Sequence, residues 1–131
     1  MKILWIEDEA NVIKYVISPL KRDGYIFDIA ESYGEFENFK EKLNEYSLVI
    51  LDLILPEKNS GPPFDYVGRK ILNEINQTSV NIPIIIFTVI DENNSNEELE
   101  KQKNVCFVLH KPISSKELLD AVIKVINNKE Y

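Results

Sequence analysis

Four places in this 131-residue chain carry side chains able to do chemistry: Glu7-Asp8-Glu9, Asp52, Thr88 and Lys111. Each lies at the end of an apolar run, namely Ile3 to Ile6, Leu48 to Leu51, Ile82 to Phe87 and Val105 to Leu109. A carboxylate that closes a buried strand needs a partner, because desolvation strongly disfavours an isolated charge. Glu7, Asp8 and Asp52, if brought together, would repel and raise one another's pKa unless a cation sat among them. The donors are hard oxygens, with no His or Cys beside them, and Mg²⁺ accepts such a set while keeping room for water and phosphate oxygens. Taken singly these residues say less. Acids at positions 7 to 9 also suit a helix N-terminus, and Thr88 also suits a strand. Lys111-Pro112 becomes informative as a dipeptide at a strand end, where a cis proline aims the preceding lysine back toward the sheet.

The elements that must position these groups are legible as periodicity. Ile3 to Ile6, Tyr25 to Ala30, Leu48 to Leu53, Ile82 to Phe87 and Val105 to Leu109 have strand length and are mostly continuous rather than alternating, as in strands covered on both faces. Between them, Val12/Tyr15/Val16/Leu20, Phe36/Phe39/Leu43, Ile71/Leu72/Ile75 and Leu118/Val122/Val125 repeat at helical spacing. Alternation of this kind predicts an α/β fold, a flavodoxin-like (βα)5 three-layer sandwich around a five-stranded parallel sheet of order 2-1-3-4-5. In that order the strands ending in Glu7-Asp8, Asp52, Thr88 and Lys111 are neighbours, and their ends form one rim where ligands of open α/β sheets bind. Gly24 suits the stop of the first helix, and Ser114-Ser115-Lys116-Glu117 suits the start of the last. Pro19 predicts a bend or early end of the first helix, and the polar stretch Asp91 to Asn104, with Leu99 nearly its only large apolar residue, predicts a short fourth helix.

Composition bounds the rest. From the length, a single domain spanning residues 1–131 is expected, with no effector domain expected after the last helix. A net charge of -7 and the absence of a basic run argue against direct nucleic-acid binding, so none is expected. No apolar stretch reaches membrane-spanning length, and acids directly after the first apolar run argue against a signal peptide, so a cytoplasmic protein is expected. The single Cys106 cannot form an internal disulfide and is read as a buried structural residue; His110 is read as a surface residue.

Lys2-Ile-Leu-Trp-Ile-Glu-Asp-Glu9, Leu51-Asp-Leu-Ile-Leu-Pro56, Phe87-Thr88 and Lys111-Pro112 resemble, in order and spacing, the receiver domains of two-component signalling. The resemblance covers nearly the whole chain. It implies that Asp52 is the phosphoacceptor, that Mg²⁺ is held by Glu7, Asp8, Asp52 and the backbone carbonyl of Ile54, and that Thr88 and Lys111 bind phosphoryl oxygens, with a cis Lys111-Pro112 bond. A sensor histidine kinase or phosphotransfer protein is then the donor and a downstream protein the target. The polar stretch Asp91 to Asn104 adds that a homodimer through the fourth helix, with a monomer as the alternative, would use charged pairs.

The chain also departs from that pattern. Gly68-Arg-Lys-Ile-Leu72 resembles the family's third-helix start, leaving an insertion within Glu57 to Val67 that carries Pro62-Pro63-Phe64 and Tyr66. It is read as a tolerated surface insertion, with a cover over the acidic pocket or a partner surface as alternatives. Val108 stands where the family carries an aromatic residue three places before the lysine, and Phe107 lies on the opposite face of the strand. Val89 is expected to crowd the approach to Asp52, and apolar Ile54 and Ile90 to leave an attacking water unoriented, which predicts a slowly hydrolysed aspartyl phosphate. Ile13 and Ile17, beside the first-helix stripe, are read as an exposed patch on which a kinase helix could dock, with ordinary partial burial at the stripe's edge as the alternative. The competing function is a receiver-like interaction module that works without phosphorylation. An aspartate-nucleophile phosphatase would need a second acid where Ile54 stands, and a flavin phosphate would be repelled by Glu7-Asp8-Glu9.

Overall fold

The structure, a computed structural model, describes the backbone of residues 1–56, 63–89, 96–111 and 114–127, and their side chains except at 10–13, 15, 16, 55, 56, 63–66, 89, 96, 97 and 111. In chain order the elements are β1 (Lys2–Ile6), α1 (Ala10–Arg22), β2 (Ile26–Ala30), α2 (Tyr33–Lys40), a 3-10 turn (Leu43–Glu45), β3 (Leu48–Asp52), β4 (Leu55–Pro56), β5 (Pro63–Phe64), α3 (Asp65–Gln77), β6 (Ile84–Val89), α4 (Asn96–Glu100), β7 (Val105–Lys111) and α5 (Ser115–Asn127). The main sheet runs β2-β1-β3-β6-β7, all parallel, which is the expected 2-1-3-4-5 order once the small antiparallel pair β4-β5 is set apart.

Continuous apolar strands serve two cores. Leu4, Ile6, Val49, Leu51, Ile84 and Ile86 face one layer, where Phe36 of α2, Val67, Ile71 and Ile75 of α3 and Leu99 of α4 cover them. Ile3, Trp5, Leu48, Ile50, Ile85 and Phe87 face the other, against Ile17 and Leu20 of α1 and Leu118, Val122 and Val125 of α5. Alternate residues of each strand thus point to opposite helical layers, which is why neither polar alternation nor an exposed sheet face was visible in the sequence.

Helix ends follow local chemistry. Gly24, at φ +93°, closes α1: Tyr25 N–H donates to Leu20 O at 3.2 Å and Gly24 N–H to Lys21 O at 3.1 Å, the paired bonds of a Schellman motif. Those bonds satisfy the Leu20 and Lys21 carbonyls, and α1 runs on through Pro19 to Arg22, so the early end expected at the proline does not occur. Ser114 Oγ accepts the Glu117 N–H at 3.1 Å and caps α5. The fourth helix is short, five residues anchored by the buried Leu99.

Several expectations need correction. Ile17 is 1% exposed and packs in the α1/α5 core, so it cannot belong to a docking patch; the apolar stripe of α1 is wider than the positions first assigned to it. The Ile13 side chain lies outside the described residues. Cys106 is exposed, because it is the extra residue of a bulge where the β6-β7 register jumps from Ile84–Val105 to Ile85–Phe107. His110 is half-buried in β7 rather than at the surface. Helix α3 starts at Asp65, three residues before Gly68, and Pro63–Phe64 pairs with Leu55–Pro56, so part of the insertion is built into regular structure. Residues 57–62 lie outside the described residues, as do Ile90 and Pro112.

Candidate functional site

Glu7 and Asp8 follow β1 directly, and the Glu7 N–H extends the β1-β2 ladder by donating to Ala30 O at 2.9 Å. Asp52 is the last residue of β3, beside Phe87 in the β3-β6 register, and Thr88 is the next residue of β6. Glu7, Asp52 and Thr88 are each 3% exposed or less, and Asp8 is half-buried. One carboxylate oxygen from each of Glu7, Asp8 and Asp52 lies within 4.8 Å of the others. The sequence-predicted acids therefore converge, and Thr88 lies one residue beyond the register partner of Asp52 on the neighbouring strand. Lys111 ends β7 opposite Val89, so its backbone reaches the same rim, but its side chain lies outside the described residues.

At that spacing each carboxylate pair repels by about 3 kcal/mol at an effective dielectric of about 20. Burial of two of the three keeps water from relieving the repulsion, while the half-exposed Asp8 leaves the cluster open on one side. Three oxygen donors with an open side suit a hard divalent cation completed by water or by a ligand's own oxygens.

The backbone beyond Asp52 is fixed by contacts that the sequence reading missed. Ile54 N–H donates to Asp52 Oδ1 at 3.0 Å, which sets the rotation of the carboxylate. Leu53 N–H donates to Phe87 O at 3.2 Å, and Gly68 N–H to Leu53 O at 3.0 Å. A methyl group on Gly68 would overlap the Leu53 backbone. The signal available was a glycine inside an amphipathic helix, where it costs stability unless a close approach needs it.

A family model for the response regulator receiver domain matches residues 3–123. The chain belongs to the response regulator receiver family. Among curated receiver proteins it is similar to the response regulator ArlR of Staphylococcus saprophyticus, 37% identical over 87 residues, which is 66% of this chain and 35% of that protein. It also resembles the transcriptional regulatory protein BasR of Escherichia coli, 32% identical over 91 residues, or 70% of this chain and 37% of the relative. The chain thus matches little more than a third of the length of these relatives. Of solved receiver structures, one described as the signal receiver domain of a Luxo repressor protein from Vibrio parahaemolyticus superposes with a TM-score of 0.81 at 25% identity, covering 98% of this chain and 92% of that one. A receiver domain from Clostridium thermocellum gives 0.76 at 28% identity, covering 98% and 96%. This receiver domain is accordingly a signalling module of two-component systems, and among its described residues no helix is long and apolar enough to cross a membrane.

Proposed function

We propose that this receiver domain accepts a phosphoryl group on Asp52 in an Mg²⁺-dependent reaction and that the modified state changes its binding to a downstream protein. The observation that supports this most is the buried Asp52 carboxylate at the end of β3, within 4.8 Å of ligand atoms of Glu7 and Asp8. Those three side chains and the Ile54 carbonyl would hold Mg²⁺, which when bound supplies charge neutralisation for the transferring phosphoryl group.

The chain's own residues do the rest. The Ile54 N–H holds the Asp52 carboxylate in one rotation, so the attacking oxygen is positioned before a donor arrives. That oxygen forms the new O–P bond while the donor's bond to phosphorus breaks and its electron pair leaves with the donor. A carboxylate attacks as its own nucleophile, so no general base is required. Lys111 and the Thr88 hydroxyl take phosphoryl oxygens, offsetting charge that develops on them. The donor is a phosphorylated histidine of a sensor kinase or phosphotransfer protein. With Thr88 drawn toward the phosphoryl group, the segments after β3 and β6 are biased toward a second arrangement that a partner reads.

Incubation with acetyl phosphate, followed by intact mass measurement, tests the reaction. A phosphoryl adduct is expected with Mg²⁺ and not with a chelator. Equal adduct under both conditions would remove the metal from the mechanism, and none under either would favour a domain that signals by binding alone.

A further inference from the structure

Strand β7 carries one more residue than β6 can pair. The ladder joins Ile84 to Val105 and then Ile85 to Phe107, leaving Cys106 as the extra residue of a bulge. Beyond it the strands stay in step, with Ile86 beside Val108, Phe87 beside Leu109, Thr88 beside His110 and Val89 beside Lys111. Without the bulge Leu109 would lie beside Thr88, and His110 beside Val89. The extra residue therefore delivers the only histidine of the chain to the flank of Thr88. Register partners in a parallel ladder share a face, on strands about 4.8 Å apart. Burial agrees with this: Ile86 and Val108 pack with the α2/α3 core, and Phe87 and Leu109 with the α1/α5 core. Thr88 and His110 are the next pair on the α2/α3 side.

The other flank of Thr88 is rigid. Leu53 is 1% exposed, its N–H is held by Phe87 O, and Gly68 presses on its backbone. His110 is half-buried on the outermost strand of the sheet, which pairs with β6 alone among the described strands. A shift of the Thr88 side chain toward a phosphoryl oxygen would therefore meet a fixed backbone on the β3 side and an edge strand on the β7 side. Val108, two residues earlier on the same face, is aliphatic, and Phe107 packs with the opposite core. Among the described side chains of β7, His110 is the one polar ring on the face of Thr88.

We propose that His110 is the positioning residue that carries the state of Thr88 to the outer strand of the sheet. The proposal rests on the reading of Asp52 as phosphoacceptor. A sole histidine is its own reporter, because its carbon-bound imidazole protons give signals that need no assignment among others. These signals are followed by NMR at fixed pH with Mg²⁺ and acetyl phosphate, and adduct is measured by intact mass in the same sample.

In the wild type the His110 signals are expected to move in step with the adduct, and in Thr88→Val, compared at equal adduct occupancy, to stay at their resting positions. In His110→Ala the adduct is expected to form while the phosphorylation-dependent shifts of the Val105 to Leu109 amides are lost. Adduct with unmoved imidazole signals would overturn the proposal, as would signals that still move in Thr88→Val, since His110 would then only sense phosphoryl charge. Amide shifts retained in His110→Ala would overturn it too, and that arm decides alone if Thr88→Val accumulates too little adduct. Absence of adduct in the wild type would instead overturn the Asp52 reading, and this proposal with it.

Discussion

Gly68, in the first turns of α3, lies directly against the backbone of Leu53, the residue that follows Asp52. Its N–H donates to Leu53 O at 3.0 Å, and no side chain fits between the two. Gly68→Ala is expected to destabilise the domain by about 1–3 kcal/mol through overpacking, despite alanine's higher helix propensity. Because Leu53 cannot move without moving its neighbour, the same variant should form adduct on Asp52 more slowly. Urea unfolding and a mass time course check the two effects; a variant as stable as wild type would show that α3 can slide away.

Like-charge repulsion within the acidic cluster is expected to lower the stability of the metal-free domain. Asp8→Asn removes one charge from the set and is expected to raise the stability of the metal-free protein by on the order of 1 kcal/mol, after screening of the half-exposed pair. The same variant should gain less stability from added Mg²⁺ than wild type does, since the stabilisation by a ligand at a given concentration grows with its affinity for the folded state. Thermal melts with Mg²⁺ and with chelator measure both signs.

Far from this rim, Tyr46 Oη donates to Asp28 Oδ2 at 2.5 Å in a nearly buried position. Burial, the hydrogen bond to Asp28 and the charges of Asp28 and Glu45 hold its pKa well above the ordinary tyrosine value of about 10. A group whose folded pKa is raised favours folding fully below its unfolded pKa and loses that contribution as pH climbs toward the folded value. Wild type should therefore lose stability more steeply than Tyr46→Phe as pH rises through about 10. Urea midpoints of the two proteins across that range test the sign, and parallel curves would count against it.

Ile54 is apolar and half-buried two residues beyond Asp52, and it offers no side-chain group to orient a water for attack on an aspartyl phosphate. Ile54→Asn supplies one and is expected to shorten the adduct lifetime. Adduct decay followed by intact mass after removal of the phosphodonor decides this, and an unchanged or longer lifetime in the variant would contradict it.

Much of this arrangement was legible from residue order. Five apolar runs mark all the strands of the main sheet to within two residues, and the acids at the ends of β1 and β3 come together as their positions predict. What escaped is non-local. The exposure of Cys106 and the placement of His110 both follow from one bulged residue, and its position depends on how β6 and β7 pair rather than on either strand alone. The burial of Ile17 is not visible in the sequence because the width of the buried stripe on α1 is set by α5 and the sheet it packs against. Likewise the role of Gly68 appears only when α3 meets Leu53.

The central claim is that Asp52 is the acceptor, and chemical trapping tests it most directly. Borohydride reduces an aspartyl phosphate to homoserine, so the protein treated with acetyl phosphate and Mg²⁺ is reduced, digested and sequenced by tandem mass spectrometry. Homoserine at position 52, absent when phosphodonor is omitted, is the predicted result. Reduction at another carboxylate, or at none despite a phosphoryl adduct on the intact chain, would contradict the account.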